Sequence, residues 1–296
     1  MNGYIIIDKP KDFTSFDVVA KLRGILKTKK IGHTGTLDPM ATGVLICMVG
    51  RATKLIQFLP TGDKGYQAKI KFGIATDTLD ITGEIVERSD NEISLQEVKN
   101  ILPRFLGEIS QIPPMYSAIK VNGQKLYDLA RKGANIDRKA RKITINSLEI
   151  LSFENQELTL DVDCSAGTYI RSLADDLGRS LGTFATLKSL RRTSANGIDI
   201  GKSVTLEALE SAENPSDFLL NIDDLLQAYE KVEITAPQAV RVQNGGHLDL
   251  ERLSAEKCDD CAIFRLYHDD KLIALGQVDL PEKIVKPVCL IEVKDR

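Results

Sequence analysis

Residues 32–43 read Gly-His-Thr-Gly-Thr-Leu-Asp-Pro-Met-Ala-Thr-Gly, and this stretch restricts the chain more than any other. Gly32, Gly35 and Gly43 admit backbone conformations closed to other residues. Pro39 fixes its own φ and pushes Asp38 toward an extended geometry. The stretch is therefore a loop that holds one carboxylate, Asp38, on a rigid, glycine-bracketed turn. An apolar run, Val44 to Val49, follows it at once and reads as a buried segment. A plain Asp-Pro turn would need far less constraint. No Lys-Ser/Thr pair closes the loop, so it is not a phosphate-binding P-loop. A carboxylate so placed can act as nucleophile, general base or metal ligand. No neighbouring His, Asp or Glu has ligand spacing, which disfavours the metal.

The rest of the pattern mixes strands and helices. Tyr4 to Ile7 reads as a short strand ending at Asp8-Lys9-Pro10. Thr14 and Asp17 form a capping-box pattern before a helix that faces inward through Val18, Val19, Leu22, Ile25 and Leu26. Tyr66, Ala68, Ile70 and Phe72 alternate with polar residues, as in a half-buried strand. Ser94 and Glu97 open a second helix carrying Val98, Ile101, Leu102 and Phe105. Leu158, Leu160, Val162 and Cys164 alternate again. Ser165-Ala166-Gly167 then leads into a helix with Ile170, Leu173, Ala174, Leu177 and Leu181. There is no strict βαβ rhythm, so the fold class is α+β, a mixed α/β architecture. Asn214-Pro215-Ser216 breaks the pattern, and a short helix is expected over 218–229. From Val232 the chain turns strand-rich, with a hairpin of Ile263 to Tyr267 and Leu272 to Gly276. The expected division is a large domain over 1–230 and a small β-rich one over 231–296.

Composition narrows the class of protein. The chain has 296 residues, 43% hydrophobic and 27% charged, enough for a sizeable core and too apolar for a disordered chain. No apolar run approaches the ~18 residues of a membrane helix. The N-terminus lacks the basic region of a secretory signal. Five scattered cysteines point to a reducing cytoplasm. The net charge of −3 hides an asymmetry: residues 1–200 carry 28 basic against 23 acidic groups, and residues 201–296 carry 11 against 19. Within 120–142 eight basic residues (Lys120, Lys125, Arg131, Lys132, Arg138, Lys139, Arg141, Lys142) face Asp128 and Asp137. Such a patch is either a solvated face or a surface for a polyanion. Cys258-Asp259-Asp260-Cys261 is half a zinc site, and neither His247 nor His268 completes a usual spacing. A surface loop is the better reading, and no metal is expected.

An ionised nucleophile needs a nearby cation, and Arg171, at a strand-to-helix junction, is a candidate. Tyr66 and Tyr169 are candidates to stack on a flat ligand. Singly, each of these is more often core or surface than functional. Together with the loop they carry a resemblance. Residues 32–43 closely resemble the catalytic motif of the TruB family, the bacterial tRNA pseudouridine-55 synthases. Asp8-Lys9-Pro10 with Thr14-Ser15, residues 65–68 with 73–80, residues 111–120, residues 164–171 and Leu190-Arg191-Arg192-Thr193 are similar to further motifs of that family, in the same order. The dyskerin relatives share some of these but are longer.

The resemblance implies a central, mostly antiparallel sheet with flanking helices. It also implies isomerisation of uridine 55, in the T loop of tRNA, to pseudouridine. By matching positions it implies that Asp38 is the nucleophile, Tyr66 the aromatic group against the base, and Arg171 the partner of Asp38. Tyr169 and Leu190 match substrate-pocket positions, and His33 matches the residue that fills the space of the flipped base. Lys9 and Pro10 match a structural motif beneath the site. Residues 124–142 match a mobile insertion over the RNA, and 231–296 resemble a degenerate PUA domain, acidic where an RNA-binding surface would be basic. No cofactor is implied. The implied partner is the T arm of tRNA, with no membrane, no obligate protein partner and a monomeric state. A non-catalytic tRNA-binding protein on the same scaffold is the competing reading, and a zinc-dependent nucleic-acid protein a third.

Overall fold

Period-two alternation builds the main sheet, and the computed structural model describes it within a chain complete except for residues 118, 122, 131, 135, 254–258 and 292–296. Its strands run in the order Gly3–Lys9, Thr42–Val49, Ala185–Ala195, Lys64–Phe72, Glu157–Cys164, Arg141–Glu154, Gly107–Gln111. The neighbouring pairs are antiparallel except one: Ala185–Ala195 runs parallel to Thr42–Val49 and pairs with it only at Thr42 and Gly43. Further along, the same edge of Thr42–Val49 is taken by Ile31–His33, which pairs with residues 47–49. The sheet therefore has a notch where one strand changes partner.

The apolar run 44–49 is buried on both faces. Leu45, Cys47 and Val49 join Ile5 and Ile7 against Val18, Val19 and Leu22 of the helix Ser15–Ile25. Val44, Ile46 and Met48 face the other way with Tyr4 and Ile6. That second face is closed by Tyr267, Leu275, Cys289 and Ile291 from the C-terminal part of the chain. Helix Ser15–Ile25 starts where its capping residues dictate: Asp17 N–H donates to the Thr14 hydroxyl, and the Asp17 carboxylate accepts from Thr14 N–H at 2.8 Å. Helix Ile170–Ser180 lays Ile170, Leu173, Ala174 and Leu177 on the middle of the sheet, against Ala68, Ile70, Leu160 and Leu187.

A second sheet has the order Glu230–Glu233, Ile263–His268, Lys271–Asp279, Ile284–Leu290, Leu248–Asp249. Its hairpin turns at Asp269 and Asp270, with φ of 49° and 57°, the double positive φ of a tight type I′ connection. The helix expected over 218–229 does not form. Short 3₁₀ turns at Pro215–Phe218 and Ile222–Leu225 replace it. Tertiary pairing wins: Leu220 exchanges backbone hydrogen bonds with Tyr4 at 3.1 and 2.8 Å, and Arg265 ties Asp223 and the Tyr229 carbonyl at 2.7 and 2.8 Å. Cys258 lies outside the described residues, and Cys261 is exposed in a turn. Among the described residues no helix is long and apolar enough to cross a membrane.

At the notch Gly43 has φ +103°, and a Cβ there would stand 2.2 Å from the Arg192 carbonyl oxygen. Gly43→Ala is expected to lower the unfolding free energy by about 3 kcal/mol, from strain and backbone displacement together. Equilibrium denaturation would show this as a lower midpoint.

Candidate active site

The loop carrying Asp38 spans the notch, and its main chain is gripped from both sides. The Arg192 guanidinium, 2% exposed, donates to the carbonyls of Val44, Gly35 and Thr36 at 2.7, 3.2 and 3.5 Å. The Lys9 ammonium, fully buried, donates to the carbonyls of Phe13, Pro10 and Pro39 at 2.6, 2.8 and 3.2 Å. Ser15 bridges both backbone groups of Leu37, accepting from its N–H at 2.9 Å and donating to its carbonyl at 3.2 Å. A buried cation is costly unless its donors are satisfied. Here backbone carbonyls satisfy them: Gly35 and Thr36 in the loop and Val44 just after it for Arg192, Pro39 in the loop and Pro10 and Phe13 outside it for Lys9, so both cations and the loop are tied together. Burial pushes the Lys9 amine down to about 8, against the pull of Asp12 and Asp38.

Arg171 is brought to Asp38 by the start of helix Ile170–Ser180. Its Nε and Nη2 meet Asp38 Oδ2 and Oδ1 at 2.9 and 3.1 Å, a two-point fork. The remaining guanidinium donors reach the Tyr116 carbonyl at 2.8 Å and the Thr78 carbonyl at 3.0 Å. A second carboxylate, Asp80, stands 3.8 Å from Arg171 Nε. Its Oδ1 is held by the Thr82 N–H and the Thr78 hydroxyl, both at 3.0 Å. Asp38 is thus fixed by a cation that is itself fixed on three other sides. Asp38 also stays a third exposed toward a cavity.

Sequence reasoning expects Arg171 to keep Asp38 readily ionised, and the surroundings change that balance. Burial pushes the Asp38 carboxyl above the ordinary carboxylate range, and Asp80 adds to the rise. Arg171 and Lys9 oppose it without cancelling it. The protein around the carboxyl, rather than its open side, sets this direction.

The cavity beside Asp38 measures about 250 Å³ and is bordered by Tyr66, Tyr169, Arg171 and Leu190. That is just under the usual range for small-molecule sites and suits one flat heterocycle. Tyr66 comes from the strand Lys64–Phe72 and is 6% exposed; burial raises its phenol, which therefore stays protonated. The main chain of Tyr169 is locked by the buried Gln111 amide, which accepts from its N–H at 2.8 Å and donates to its carbonyl at 3.1 Å. His33 sits on the strand Ile31–His33, outside that lining. Burial, with Arg192 adding, lowers its imidazole, so it is neutral at pH 7. Lys9 bonds the Pro39 carbonyl of the loop and the Pro10 carbonyl outside it.

The sequence places Asp80, Gln111, Arg192, Ser117 and Thr168 only inside the family-like motifs, with no role of their own, and does not single out Lys64. Lys64, Ser117 and Thr168 border the cavity. Lys64 was legible in principle, because it lies two residues before Tyr66 and shares its face of the strand. Arg192 stands in a family-like motif, but nothing local says that it rather than Arg191 turns inward; Arg191 pairs near the surface with Asp8 at 2.7 Å.

Comparison with known proteins shows which family the chain belongs to. Residues 23–170 match the TruB family pseudouridylate synthase N-terminal domain, and residues 171–232 the tRNA pseudouridylate synthase B C-terminal domain. The tRNA pseudouridine synthase B of Clostridium tetani is 44% identical over 94% of this chain and 96% of its own. That of Aquifex aeolicus is 39% identical over 94% and 96%. Among solved structures, a chain from an archaeal box H/ACA Nop10–Cbf5 complex superposes with a TM-score of 0.73 at 24% identity, covering 99% of this chain and 87% of that one. The fold is that of the pseudouridine synthases. Within that class the chain belongs to the TruB family.

The raised Asp38 carboxyl gives a direct test. A group whose affinity for protons rises on folding stabilises the fold below its unfolded value, and that contribution is lost as pH rises through the folded value. A carboxylate titration followed by carbon NMR should place the Asp38 midpoint above the ordinary 3.8. Arg171→Met removes the opposing cation and should move the midpoint higher still. For the same reason Asp38→Asn is expected to cost no unfolding free energy at pH 7.

Proposed function

We propose that this chain is a tRNA pseudouridine synthase that isomerises uridine 55 in the T loop, with Asp38 as its nucleophile. The observation that carries the reading is the two-point Asp38–Arg171 pair at the wall of a cavity faced by Tyr66, Tyr169 and Leu190, in a chain 44% identical to a protein of that name. A pure tRNA binder has no use for a clamped carboxylate whose cation is itself fixed on three sides.

A uridine inside a folded loop is out of reach of Asp38, so it must leave the stack, at a cost of a few kcal/mol. His33, flat and neutral, occupies the space it leaves. The uracil enters the cavity with one face on Tyr66. Asp38, ionised and aimed by Arg171, attacks the ribose or the base, or takes a proton from the sugar. The C1′–N1 bond breaks, the uracil turns, and C5 bonds to C1′. The proton on C5 is then lost and N1 gains one, so atoms balance and no net oxidation occurs. We therefore assign no cofactor and no metal to the reaction. The Tyr66 phenol, protonated throughout, is a wall for the base rather than a base itself.

Residues 1–230 form the catalytic part in this reading, and 231–296 a PUA-like RNA-binding part. The insertion near 124–142 lies over the RNA. Of its cations Lys139 and Arg141 are exposed, whereas Lys142 meets Glu108 at 2.5 Å; Arg131 and the side chain of Lys125 lie outside the described residues. The enzyme works as a cytoplasmic monomer with tRNA as its partner and no obligate protein partner.

Incubation with an unmodified tRNA transcript, followed by mapping of pseudouridine, tests reaction and position together. Asp38→Asn keeps the shape but not the charge, and its single-turnover rate is expected to fall by several orders of magnitude. Its tRNA affinity should change little, because phosphate and shape contacts elsewhere dominate. His33→Ala should slow turnover less, since the nucleophile stays intact. An Asp38→Asn variant that turns over like the parent would sink the assignment.

Charge gives a second test. Neutralising Lys139 and Arg141 should flatten the salt dependence of tRNA binding by about 2 in the log–log slope. Adding Lys142→Met should flatten it less per residue, because Glu108 already neutralises that charge. An unchanged slope would remove the insertion from the interface.

A further inference from the structure

Lys64 opens the strand that carries Tyr66, and its side chain stands between two cavities. One is the cavity beside Asp38. The other, also about 250 Å³, is bordered by Thr34, Gly35, Gln57, Thr61, Lys64 and Arg192. Among the described residues, no hydrogen bond or ion pair reaches the Lys64 ammonium, although the side chain is half-buried. Arg192 lies close by. A Cβ on Gly35 would stand 3.8 Å from Arg192 Nη1 and 4.0 Å from Lys64 Nζ, so the two cations flank one glycine. No carboxylate among the described residues pairs with either. Burial, with Arg192 adding, holds the Lys64 ammonium below the usual lysine value. Two like charges left together without an anion are a cost that a bound anion would remove.

We propose that the second cavity is a phosphodiester subsite, in which Lys64 grips the backbone phosphate next to the uridine whose base fills the first cavity. The inference rests on the function proposed above. A base in the first cavity leaves its ribose at the mouth, and the phosphates on either side of that ribose lie one sugar away. Lys64 borders both spaces, so one side chain can meet the backbone as the strand turns out of the catalytic cavity. Arg192 is committed to the loop carbonyls and contributes a fixed positive field. Lys64, with a free ammonium on a flexible stem, is the ligand. It is a positioning residue: it holds the flipped nucleotide in place and takes no part in bond making.

The test uses the full-length protein and a T-arm RNA carrying one uncharged methylphosphonate, placed either 5′ or 3′ of the target uridine. Affinity and single-turnover rate are measured for the parent, Lys64→Met and Lys64→Arg. In the parent, neutralising one of the two phosphates is expected to weaken binding about tenfold, the scale of a hydrogen bond to a charged group. Lys64→Met keeps the stem and loses the charge; it should bind the unmodified RNA about tenfold more weakly and respond less than about twofold to the same methylphosphonate. Lys64→Arg should keep the sensitivity. A merely structural lysine would weaken binding without changing the response to one phosphate. The subsite is overturned if the parent tolerates both substitutions, or if Lys64→Met remains as sensitive as the parent. If the parent forms no pseudouridine in the unmodified RNA, the function itself falls and the subsite with it. Turnover without coupling removes the subsite alone.

Discussion

Two buried cations hold the Asp38 loop by its backbone, and the rest of the site depends on that grip. Arg192 takes the carbonyls of Gly35, Thr36 and Val44, and Lys9 takes that of Pro39. Among the described residues neither cation is held by a carboxylate in contact. Carbonyl dipoles meet their donors instead, and the loop's carbonyls, which strands cannot pair at the notch, find partners in return. Removing either side would leave the other unsatisfied, a loss of several kcal/mol for a buried charge. Ion pairs such as Lys21–Glu210, exposed on both partners, are worth about 0–1 kcal/mol and decide nothing here.

That fixed loop lets Arg171 aim Asp38 rather than chase it. The guanidinium has four directions occupied: Asp38, Asp80, and the carbonyls of Thr78 and Tyr116. These partners come from three segments of the chain, at residues 38, 78–80 and 116. Each is a short, local commitment, and together they allow the Asp38 carboxylate a single geometry. Burial makes the charge on Asp38 costly, so the pair opposes that cost without erasing it. A reactive group is held ready at some expense in stability, as active sites commonly are.

The second sheet is not a detached appendage. Tyr267, Leu275, Cys289 and Ile291 share one apolar cluster with Tyr4, Ile46 and Met48 of the main sheet. The strands next to the Asp38 loop are therefore covered on one face by helix Ser15–Ile25 and on the other by the C-terminal part of the chain. This is why the run 44–49 carries no polar residue: both of its faces are inside. The segment between the two sheets follows the same logic, since Leu220 pairs with Tyr4 in preference to forming a helix.

Much of this was legible in the sequence, for local reasons. Capping residues at Thr14 and Ser94 set helix starts, alternation at 66–72 and 158–164 set strands and their faces, and the glycine-bracketed Asp38-Pro39 marked the loop. Each of these signals lies within a few residues of what it specifies. The identity of Asp38, Tyr66 and Arg171 as neighbours came through resemblance, since nothing in the spacing of residues 38, 66 and 171 brings them together. Only the tertiary structure decided that Arg192 goes inside and Arg191 outside, that Asp80 shares Arg171 with Asp38, and that Lys64 stands between two cavities. The alternation of a strand tells which residues share a face, but which face is buried, and what waits there, depends on strands and helices far along the chain. The same holds for the Asp38 carboxyl: its chemical type is written at one position, while its readiness to ionise is set by burial and by the charges of Lys9, Asp80 and Arg171, from three other segments.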